Sequence, residues 1–494
     1  MRIDSRCRSY KVKSKLETRN SKLTNGHLVR GLGLTAAISV NVANIIGTGV
    51  FIKARVMTCN VVKPLTAISV WVVAGLLSLA GALTYAELMA MMPEAAGEYG
   101  IMRKAYGPAS GFIYGWTQFV IARVASAAAL AVGFAIFLND FLNGSLKHPY
   151  FTLHIAGDFD VPFGGLQLVA LSAIAITTLI NCAAVKVSGY FATFLTSLKV
   201  LLVVGVGVGA FIYAGGHWAN LGLANVGGAC ESVAVTGGGL AGFGAAMLGA
   251  LWAYDGWNNI TFMAGEVQRP ERNLPLGLIG SILIVMTLYL FVNFGYYHAL
   301  TPTQIASVPA SSSVAAEVVK KFLGPAAVGL MAIGLMISSF GALQASMLAT
   351  ARVPYAMSRD GLFFESLAKV SPRTHVPVRS LIVQGVWAGV VALSGSYDTL
   401  TDYAIFALTL FYALVAGSVF IFRRRMPDAP RAYRTWGYPV VPILFLLVIA
   451  ALVINTIMTA RRQSLIGLGL ILIGLPVYWI WSSRKAYRDR QSAE

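Results

Sequence analysis

Charged side chains are scarce in this chain. Asp, Glu, Lys and Arg together make up only 12% of the residues, whereas 57% are hydrophobic. A soluble domain has roughly 25% charged residues, so the composition argues against a chain built from soluble domains.

HExxH, GxSxG and Walker A motifs are also missing, and the six histidines are dispersed. We therefore expect no enzyme, no catalytic residues and no cofactor.

Cysteine is also rare. The four cysteines are Cys7, Cys59, Cys182 and Cys230, and no two of them have CxxC or metal-ligand spacing. Such spacing is the usual sequence mark of a zinc or redox site. We interpret the four as structural residues and expect no metal site.

Long apolar runs, by contrast, occur throughout the sequence, and the mean hydropathy is +0.70. A transmembrane helix needs about 20 mostly apolar residues. The twelve runs that meet this need lie near residues 31–57, 65–91, 107–138, 165–186, 188–214, 241–266, 276–299, 325–357, 377–397, 402–423, 437–459 and 464–483. They predict an all-α integral membrane protein with twelve transmembrane helices, embedded in a lipid bilayer.

The net charge of +18 could indicate a nucleic-acid ligand, but its distribution does not. If both termini face the cytoplasm, most Lys and Arg residues outside the spans fall on cytoplasmic segments, as the positive-inside rule requires. We therefore expect a multi-pass protein of the plasma (inner) membrane and no nucleic-acid partner. Residues 1–30 are predicted to form a basic cytoplasmic arm without the apolar core of a signal peptide, and residues 484–494 a cytoplasmic tail.

Two of the apolar runs are interrupted near their middle. The first reads NVANIIGTGVFI, with Gly47, Thr48 and Gly49 together, and the sixth reads ALWAYDGWNN, with Asp255 beside a glycine. Each glycine costs a helix interior about 1 kcal/mol, and a carboxylate at mid-membrane depth costs about 2.5–3.5 kcal/mol. Broken helices at matching positions of two inverted repeats mark the binding site of many transporters. The predicted organisation is two five-helix repeats and a pair of peripheral helices, over residues 31–214, 241–423 and 437–483.

The unpaired backbone groups at these breaks predict what could bind there. The half-helix that starts after Gly49 presents free N–H groups and a positive dipole end, which favour a carboxylate. Carbonyl groups freed around residues 252–255 favour a cation such as an ammonium. Together they describe an α-amino acid or another small zwitterion. Gly47 or Gly49 taken alone would more simply serve close helix packing.

Four short motifs follow one another in a specific order. They are IIGTGVF in span 1, GALTYAEL in span 2, AYDGWNN followed by GEVQRPERNLP at span 6, and Arg359-Asp360-Gly361 after span 8. In this order they resemble the amino acid–polyamine–organocation superfamily, and most closely its L-amino acid transporter branch. The resemblance covers residues 30–435 and implies a ten-helix inverted-repeat core, with broken helices 1 and 6, plus two peripheral helices.

The resemblance also implies roles for residues at the breaks. Thr48 and Gly49 would bind the substrate carboxylate, and the carbonyls of Ile45, Trp252 and Asp255 would hold its α-ammonium. Trp252 would also cover the substrate and act as a gate, because an aromatic face attracts a cation. The predicted substrate site further includes three neighbours of the breaks, Asn44, Gly47 and Ala253.

The side chain of Asp255 has two interpretations. If it faces the pocket, it would favour substrates that carry a distal cation. If it faces the unwound backbone, it would only cap exposed N–H groups. Neutral amino acids are the first expectation, and cationic amino acids are the alternative.

Lys199 is a charge deep within span 5, in FLTSLKVLLVVG. A lysine near a helix end could snorkel to the membrane surface, but Lys199 lies too far into the run. The resemblance implies that its ammonium replaces the Na+ ion that related transporters hold between spans 1 and 8. Ser338, Ser339 and Ser346 on span 8 could line the same pocket or only hold helices together. We therefore expect sodium-independent amino-acid exchange by alternating access, with proton-coupled symport through Lys199 as the alternative.

Three further charges have structural interpretations. Arg123 in span 3 is expected to face the helix bundle. Glu87 and Glu266 lie at the inner ends of spans 2 and 6, where loop arginines such as Arg269, Arg272 or Arg359 are the expected partners.

The resemblance bears on protein partners as well. In animals, light subunits of this branch join a heavy subunit through a cysteine in the second outer loop, whereas residues 139–164 here contain no cysteine. We expect a prokaryotic carrier without a heavy-chain subunit. The sequence leaves open whether it forms a homo-oligomer.

Overall fold

The computed structural model of the chain describes residues 28–491 except 95, 96, 143, 157, 158, 184, 232, 234, 236, 310, 311, 325, 395, 396 and 460. Most of the arm predicted for residues 1–30, and the end of the tail predicted for 484–494, lie outside the described residues. Helices dominate the part that is described, which confirms the all-α class.

The first half of the chain contains long helices and one short hairpin. The helices are α1 (Leu34–Ile45), α2 (Gly49–Val61), α3 (Pro64–Met91), α4 (Gly97–Tyr106), α5 (Pro108–Thr117), α6 (Arg123–Phe141), α7 (Gly165–Asn181) and α8 (Val185–Ile212). A π-helical turn, Gln118–Ala122, joins α5 to α6. Strands β1 (Pro149–Ala156) and β2 (Phe159–Gly164) pair antiparallel between α6 and α7.

The second half continues in the same way. Its helices are α9 (Gly239–Tyr254), α10 (Pro270–Ala299), α11 (Pro302–Ala306), α12 (Val314–Leu323), α13 (Ala326–Thr350), α14 (Arg352–Arg359), α15 (Val378–Ser394), α16 (Tyr397–Arg425), α17 (Val440–Thr459), α18 (Arg461–Leu472) and α19 (Gly474–Gln491). Short 3-10 helices occur at Trp218–Gly222, Asn259–Glu266 and Glu365–Ala368.

Many of these helices are suited to a membrane. By length and composition, eight helical segments in the described residues could cross one, and α1 with α2 makes a ninth if the pair counts as one bent span. Gly165–Asn181 and Val378–Leu393 are shorter apolar helices. The chain is thus a multi-pass membrane protein, while the count of twelve spans and the repeat boundaries remain predictions.

Helix α3 illustrates how these segments form and pack. Pro64 occupies its first turn, where a missing N–H costs no hydrogen bond. Further along, a Cβ on Gly75 would lie 2.9 Å from the Tyr254 hydroxyl, and one on Gly81 would lie 2.8 Å from the Phe445 ring. Small residues therefore let α3 approach both α9 and α17 closely, which is the main source of helix association in lipid.

Buried ion pairs tie distant helices together. Glu266 Oε1 lies 2.6 Å from Arg352 Nε with both side chains fully buried, and Glu87 Oε2 lies 2.7 Å from Arg423 Nη2. The loop arginines named above are not the partners in the described residues, although Glu87 does pair with a different loop arginine, Arg431, whose Nε lies 3.2 Å from its Oε1. The other partners come from α14 and α16, because helix packing places those arginines beside the carboxylates.

A disulfide joins Cys59, near the end of α2, to Cys230 in the loop before α9. Among the described residues, Cys182 is a free thiol.

Candidate functional site

The first break separates α1 from α2. Helix α1 ends at Ile45, α2 begins at Gly49, and their axes meet at 42°. Within the break, the Gly47 amide donates to the Ile45 carbonyl at 2.9 Å instead of to the carbonyl four residues before it. The carbonyl of Ala43 is therefore left without its usual intrahelical donor.

Side chains from two other helices supply the missing donors. Lys199 on α8 places its Nζ 2.8 Å from the Ala43 oxygen and 2.7 Å from the Ile46 oxygen. The Ser338 hydroxyl on α13 donates to the Gly47 oxygen at 2.7 Å. Lys199 is fully buried, so its ammonium serves the break and not the membrane surface. An ammonium has three donor hydrogens and suits such a cluster of carbonyls.

The second break follows α9, which ends at Tyr254 before a 3-10 helix begins at Asn259. Gly256 has a φ of +91°, a left-handed conformation that favours glycine. A Cβ at this position would also lie 2.9 Å from the Asn44 backbone oxygen. Glycine at 256 thus permits both the turn and a close approach to α1.

The two breaks lie against each other. A Cβ on Gly49 would stand only 2.7 Å from the Ala253 Cα. Tyr289 on α10 contacts both breaks: its hydroxyl lies 3.1 Å from the Ile45 oxygen and 2.9 Å from the Ala253 oxygen. A single polar centre is therefore built from both broken helices.

Asparagines fix α1 against the second break. Asn259 Nδ2 donates to Asn44 Oδ1 at 2.7 Å, and Asn41 Nδ2 donates to the Trp257 oxygen at 2.7 Å. Both asparagines of α1 are buried. Amide side chains can donate and accept at once, so they join two backbones whose own hydrogen-bond pattern is interrupted.

The predicted substrate-site residues all lie at these two breaks. Gly47 and Asp255 are partly exposed. The other six are buried: Asn44, Ile45, Thr48, Gly49, Trp252 and Ala253. Substrate binding would require such a common location. Their individual roles remain predictions.

The Asp255 carboxylate is bound by side chains of α6 and α16. It accepts a hydrogen bond from the Tyr412 hydroxyl at 2.6 Å, and Arg123 Nη1 lies 3.4 Å from its other oxygen. A π-helical turn, Gln118–Ala122, directly precedes Arg123, and such irregular turns are frequent at functional sites. Neither interpretation of the Asp255 side chain anticipated these contacts.

Sequence reasoning missed two tyrosines of this centre, Tyr289 and Tyr412. Both lie in apolar runs, and a buried tyrosine hydroxyl usually finds a partner. That requirement was a usable signal. The partners themselves could not be inferred, because they lie on helices remote in sequence.

We expect Gly49→Ala to disturb the contact between the breaks far more than Gly47→Ala. A Cβ at 49 would stand 2.7 Å from Ala253 Cα, whereas a Cβ at 47 would meet its nearest neighbour, Leu130, at an ordinary 3.8 Å. Overpacking of the first kind costs about 1–3 kcal/mol. The midpoint of thermal unfolding in detergent should fall for Gly49→Ala and stay near wild type for Gly47→Ala. Equal midpoints for the two variants would contradict the close contact.

Comparison with known proteins gives a consistent result. The family model described as "Amino acid permease" matches residues 32–480. The chain is 31% identical to the "Serine/threonine exchanger SteT" of Bacillus subtilis over 93% of this chain and 98% of that protein. It is 26% identical to the "b(0,+)-type amino acid transporter 1" of Mus musculus, over 94% of this chain and 90% of that protein. It is 28% identical to the "Large neutral amino acids transporter small subunit 2" of Mus musculus, over 94% of this chain and 83% of that protein.

Proposed function

The chain belongs to the amino acid permease family, within the amino acid–polyamine–organocation superfamily, and on that premise we propose that it exchanges neutral L-amino acids by sodium-independent alternating access. Permeases of this family are transporters and not enzymes. Amino-acid transport follows from the family. Neutral preference, sodium independence and exchange are the finer parts of the proposal.

The substrate would bind where the two breaks meet. The N-terminus of α2, at Thr48 and Gly49, offers backbone N–H groups and a positive dipole end to a carboxylate. Carbonyls of Ile45, Trp252 and Asp255 would receive the α-ammonium, with the Trp252 side chain as the gate above it. Asn44, Gly47 and Ala253 would complete the wall.

Neutral preference rests on the charge pairing of Asp255. Its carboxylate already binds Tyr412 and lies 3.4 Å from Arg123. A substrate with a distal cation would need the free negative charge of Asp255, but Arg123 already compensates that charge. The printed names of two relatives, a serine/threonine exchanger and a large neutral amino acids transporter subunit, support the same preference.

Sodium independence rests on Lys199, and this is the observation that carries the proposal. Its ammonium lies 2.8 and 2.7 Å from two carbonyls of the first break. A Na+ ion bound to the same oxygens would have to displace the Lys199 amine, and an ammonium there would also repel it. The ammonium therefore fills the role of the ion and leaves no reason for sodium coupling.

Orientation and assembly complete the proposal. The Cys59–Cys230 disulfide favours an outer location for the end of α2, and hence a cytoplasmic N-terminus in front of α1. With the cytoplasmic C-terminus of the positive-inside pattern, this suits a plasma (inner) membrane carrier. Because residues 139–164 contain no cysteine, we propose that it works without a heavy-chain subunit.

Uptake into proteoliposomes tests the proposal. Labelled serine, leucine and arginine would be added outside, with or without unlabelled amino acid inside, in sodium or choline buffer. We expect uptake of the neutral amino acids that needs internal amino acid and does not change with sodium, and much weaker uptake of arginine. Protein-free liposomes are the control. Uptake into empty vesicles driven by an inside-alkaline pH would instead indicate a proton symporter, and a preference for arginine a cationic carrier.

A further inference from the structure

A second buried carboxylate lies beside the second break, and the predicted site does not use it. Glu98, on α4, is fully buried. Its Oε1 accepts from Asn258 Nδ2 and from Thr261 Oγ1, each at 2.7 Å, and its Oε2 accepts from the Tyr114 hydroxyl at 2.7 Å. A Cβ on Gly97 would lie 2.7 Å from the Thr261 backbone oxygen, so α4 is tightly packed against the 3-10 helix Asn259–Glu266.

Asn258 connects this carboxylate to Asp255. While its Nδ2 donates to Glu98, its Oδ1 accepts from Arg123 Nη2 at 3.1 Å. Arg123 in turn lies 3.4 Å from Asp255. We name Glu98, Asn258, Arg123, Tyr412 and Asp255 the polar cluster.

The polar cluster is not balanced in charge. When both carboxylates are ionised, they bring two negative charges against the single positive charge of Arg123. That arginine pairs with Asp255, and the hydrogen bonds of Glu98 come from three neutral side chains. A buried charge without an ionic partner is costly and is commonly neutralised by a proton.

No other ionic group near Glu98 offsets this charge in the described residues. On its own helix, the partly exposed Arg103 pairs with Asp360, and the exposed Lys104 pairs with Glu94. Glu266, at the end of the packed 3-10 helix, pairs with Arg352. The titratable and charged groups that face Glu98 from the other packed elements are Tyr85 on α3, Tyr114 on α5, Arg123 on α6 and Tyr412 on α16. Asp255 is joined to them through its hydrogen bond from Tyr412.

The hydrogen-bond partners of Glu98 can accommodate a proton. Ionised, the carboxylate accepts from two hydroxyls and one amide. Protonated, its own O–H can donate to the Tyr114 or Thr261 hydroxyl, because a hydroxyl can accept as well as donate. Adding the proton therefore requires rotation of a hydroxyl and no movement of the backbone.

We propose that Glu98 is a proton-binding site of this transporter, separate from Lys199, which takes up a proton when α4 and the 3-10 helix are packed together and releases it to water when they part. The proton adds to a Glu98 oxygen and returns from it, and no other bond changes. Proton binding is independent of the proposed exchange activity. Only the timing of release rests on alternating access.

The expected pH dependence follows from burial. Burial raises the pKa of the Glu98 carboxyl above its ordinary value, against the opposing effect of its hydrogen bonds and of Arg123. Between the ordinary and the raised pKa, the folded protein binds this proton and the unfolded chain does not. Folding stability therefore falls as the pH rises through that window.

Infrared spectroscopy of the purified protein in nanodiscs, without substrate, tests the proposal directly. Wild type should show a protonated-carboxyl band that disappears as the pH is raised. Glu98→Gln, which is neutral and nearly the same shape, should lose the band. In this variant, the thermal unfolding midpoint should also fall less steeply than in wild type as the pH rises. Glu94→Gln is the matched control, because Glu94 is exposed and paired with Lys104, and it should retain both signals.

The same titrating band in Glu98→Gln, or no such band in wild type, would overturn the proposal. If Glu98→Gln does not fold, Glu98→Asp serves instead. It keeps a carboxyl but moves it by one methylene, so the band should shift in frequency and not vanish. An unshifted band would also exclude Glu98. Because these measurements do not involve transport, their outcome is separate from that of the uptake experiment.

Discussion

Lys199→Met should strongly reduce amino-acid exchange. The substitution leaves the Ala43 oxygen without the ammonium that binds it at 2.8 Å, and the Ile46 oxygen with only the Ser338 hydroxyl at 3.3 Å. A buried carbonyl that loses its donor costs about 1–3 kcal/mol. Since a tenfold change in rate corresponds to about 1.4 kcal/mol, we expect exchange to fall by roughly tenfold or more.

The measurement is exchange of labelled serine in proteoliposomes at equal protein content. Ser197→Ala on the same helix is the matched control, because the exposed Ser197 hydroxyl bonds only the Thr193 carbonyl of its own helix. It should exchange like wild type. Full activity in Lys199→Met, in sodium as in choline, would remove the ammonium from the mechanism and with it the basis for sodium independence.

Arg123→Met should cause the largest loss of stability among single substitutions at the site. The arginine is buried, and its Nη1 lies 3.4 Å from Asp255, whose side chain is 13% exposed. Breaking a buried pair by removing one partner typically costs about 3–5 kcal/mol, because the remaining charge is left uncompensated. The thermal unfolding midpoint in detergent should therefore fall sharply, and transport should be lost with it.

A double substitution separates charge from packing. Arg123→Met combined with Asp255→Asn removes both charges and should recover part of the stability that Arg123→Met loses. Arg103→Met is the matched control, since Arg103 and Asp360 form another Arg–Asp pair but are 39% and 24% exposed. An exposed pair contributes about 0–1 kcal/mol. Equal losses for Arg123→Met and Arg103→Met would show that the buried pair has no special weight.

The positions of both helix breaks could be predicted because their signals are local. Gly47 and Gly49 in one apolar run, and Asp255 with Gly256 in another, are unfavourable in an uninterrupted membrane helix wherever the rest of the chain lies. The structure has a break at each place. The resemblance added Lys199 to the first break, which periodicity alone would not have done.

The partners of these residues could not be predicted in the same way. Arg123 meets Asp255 across 132 positions, and Tyr289 meets Ile45 across 244. Glu98 is buried against the 3-10 helix through Thr261, which is 163 positions away. The arginines named as partners of Glu87 and Glu266 were wrong for the same reason, since the observed partners, Arg352, Arg423 and Arg431, are remote in sequence from these glutamates.

Composition and order along the chain determined by themselves that this protein is helical, lies in a membrane, and interrupts two of its helices at glycines. Those properties follow from the free-energy cost of placing each residue in an apolar solvent. That cost depends on the residue itself and not on its neighbours. Only the tertiary structure decided that Asp255 is compensated by Arg123, that Lys199 reaches the carbonyls of the first break, and that Glu98 has no ionic partner among the described residues. These contacts depend on helix packing, which must place two atoms from distant segments within about 3 Å of each other.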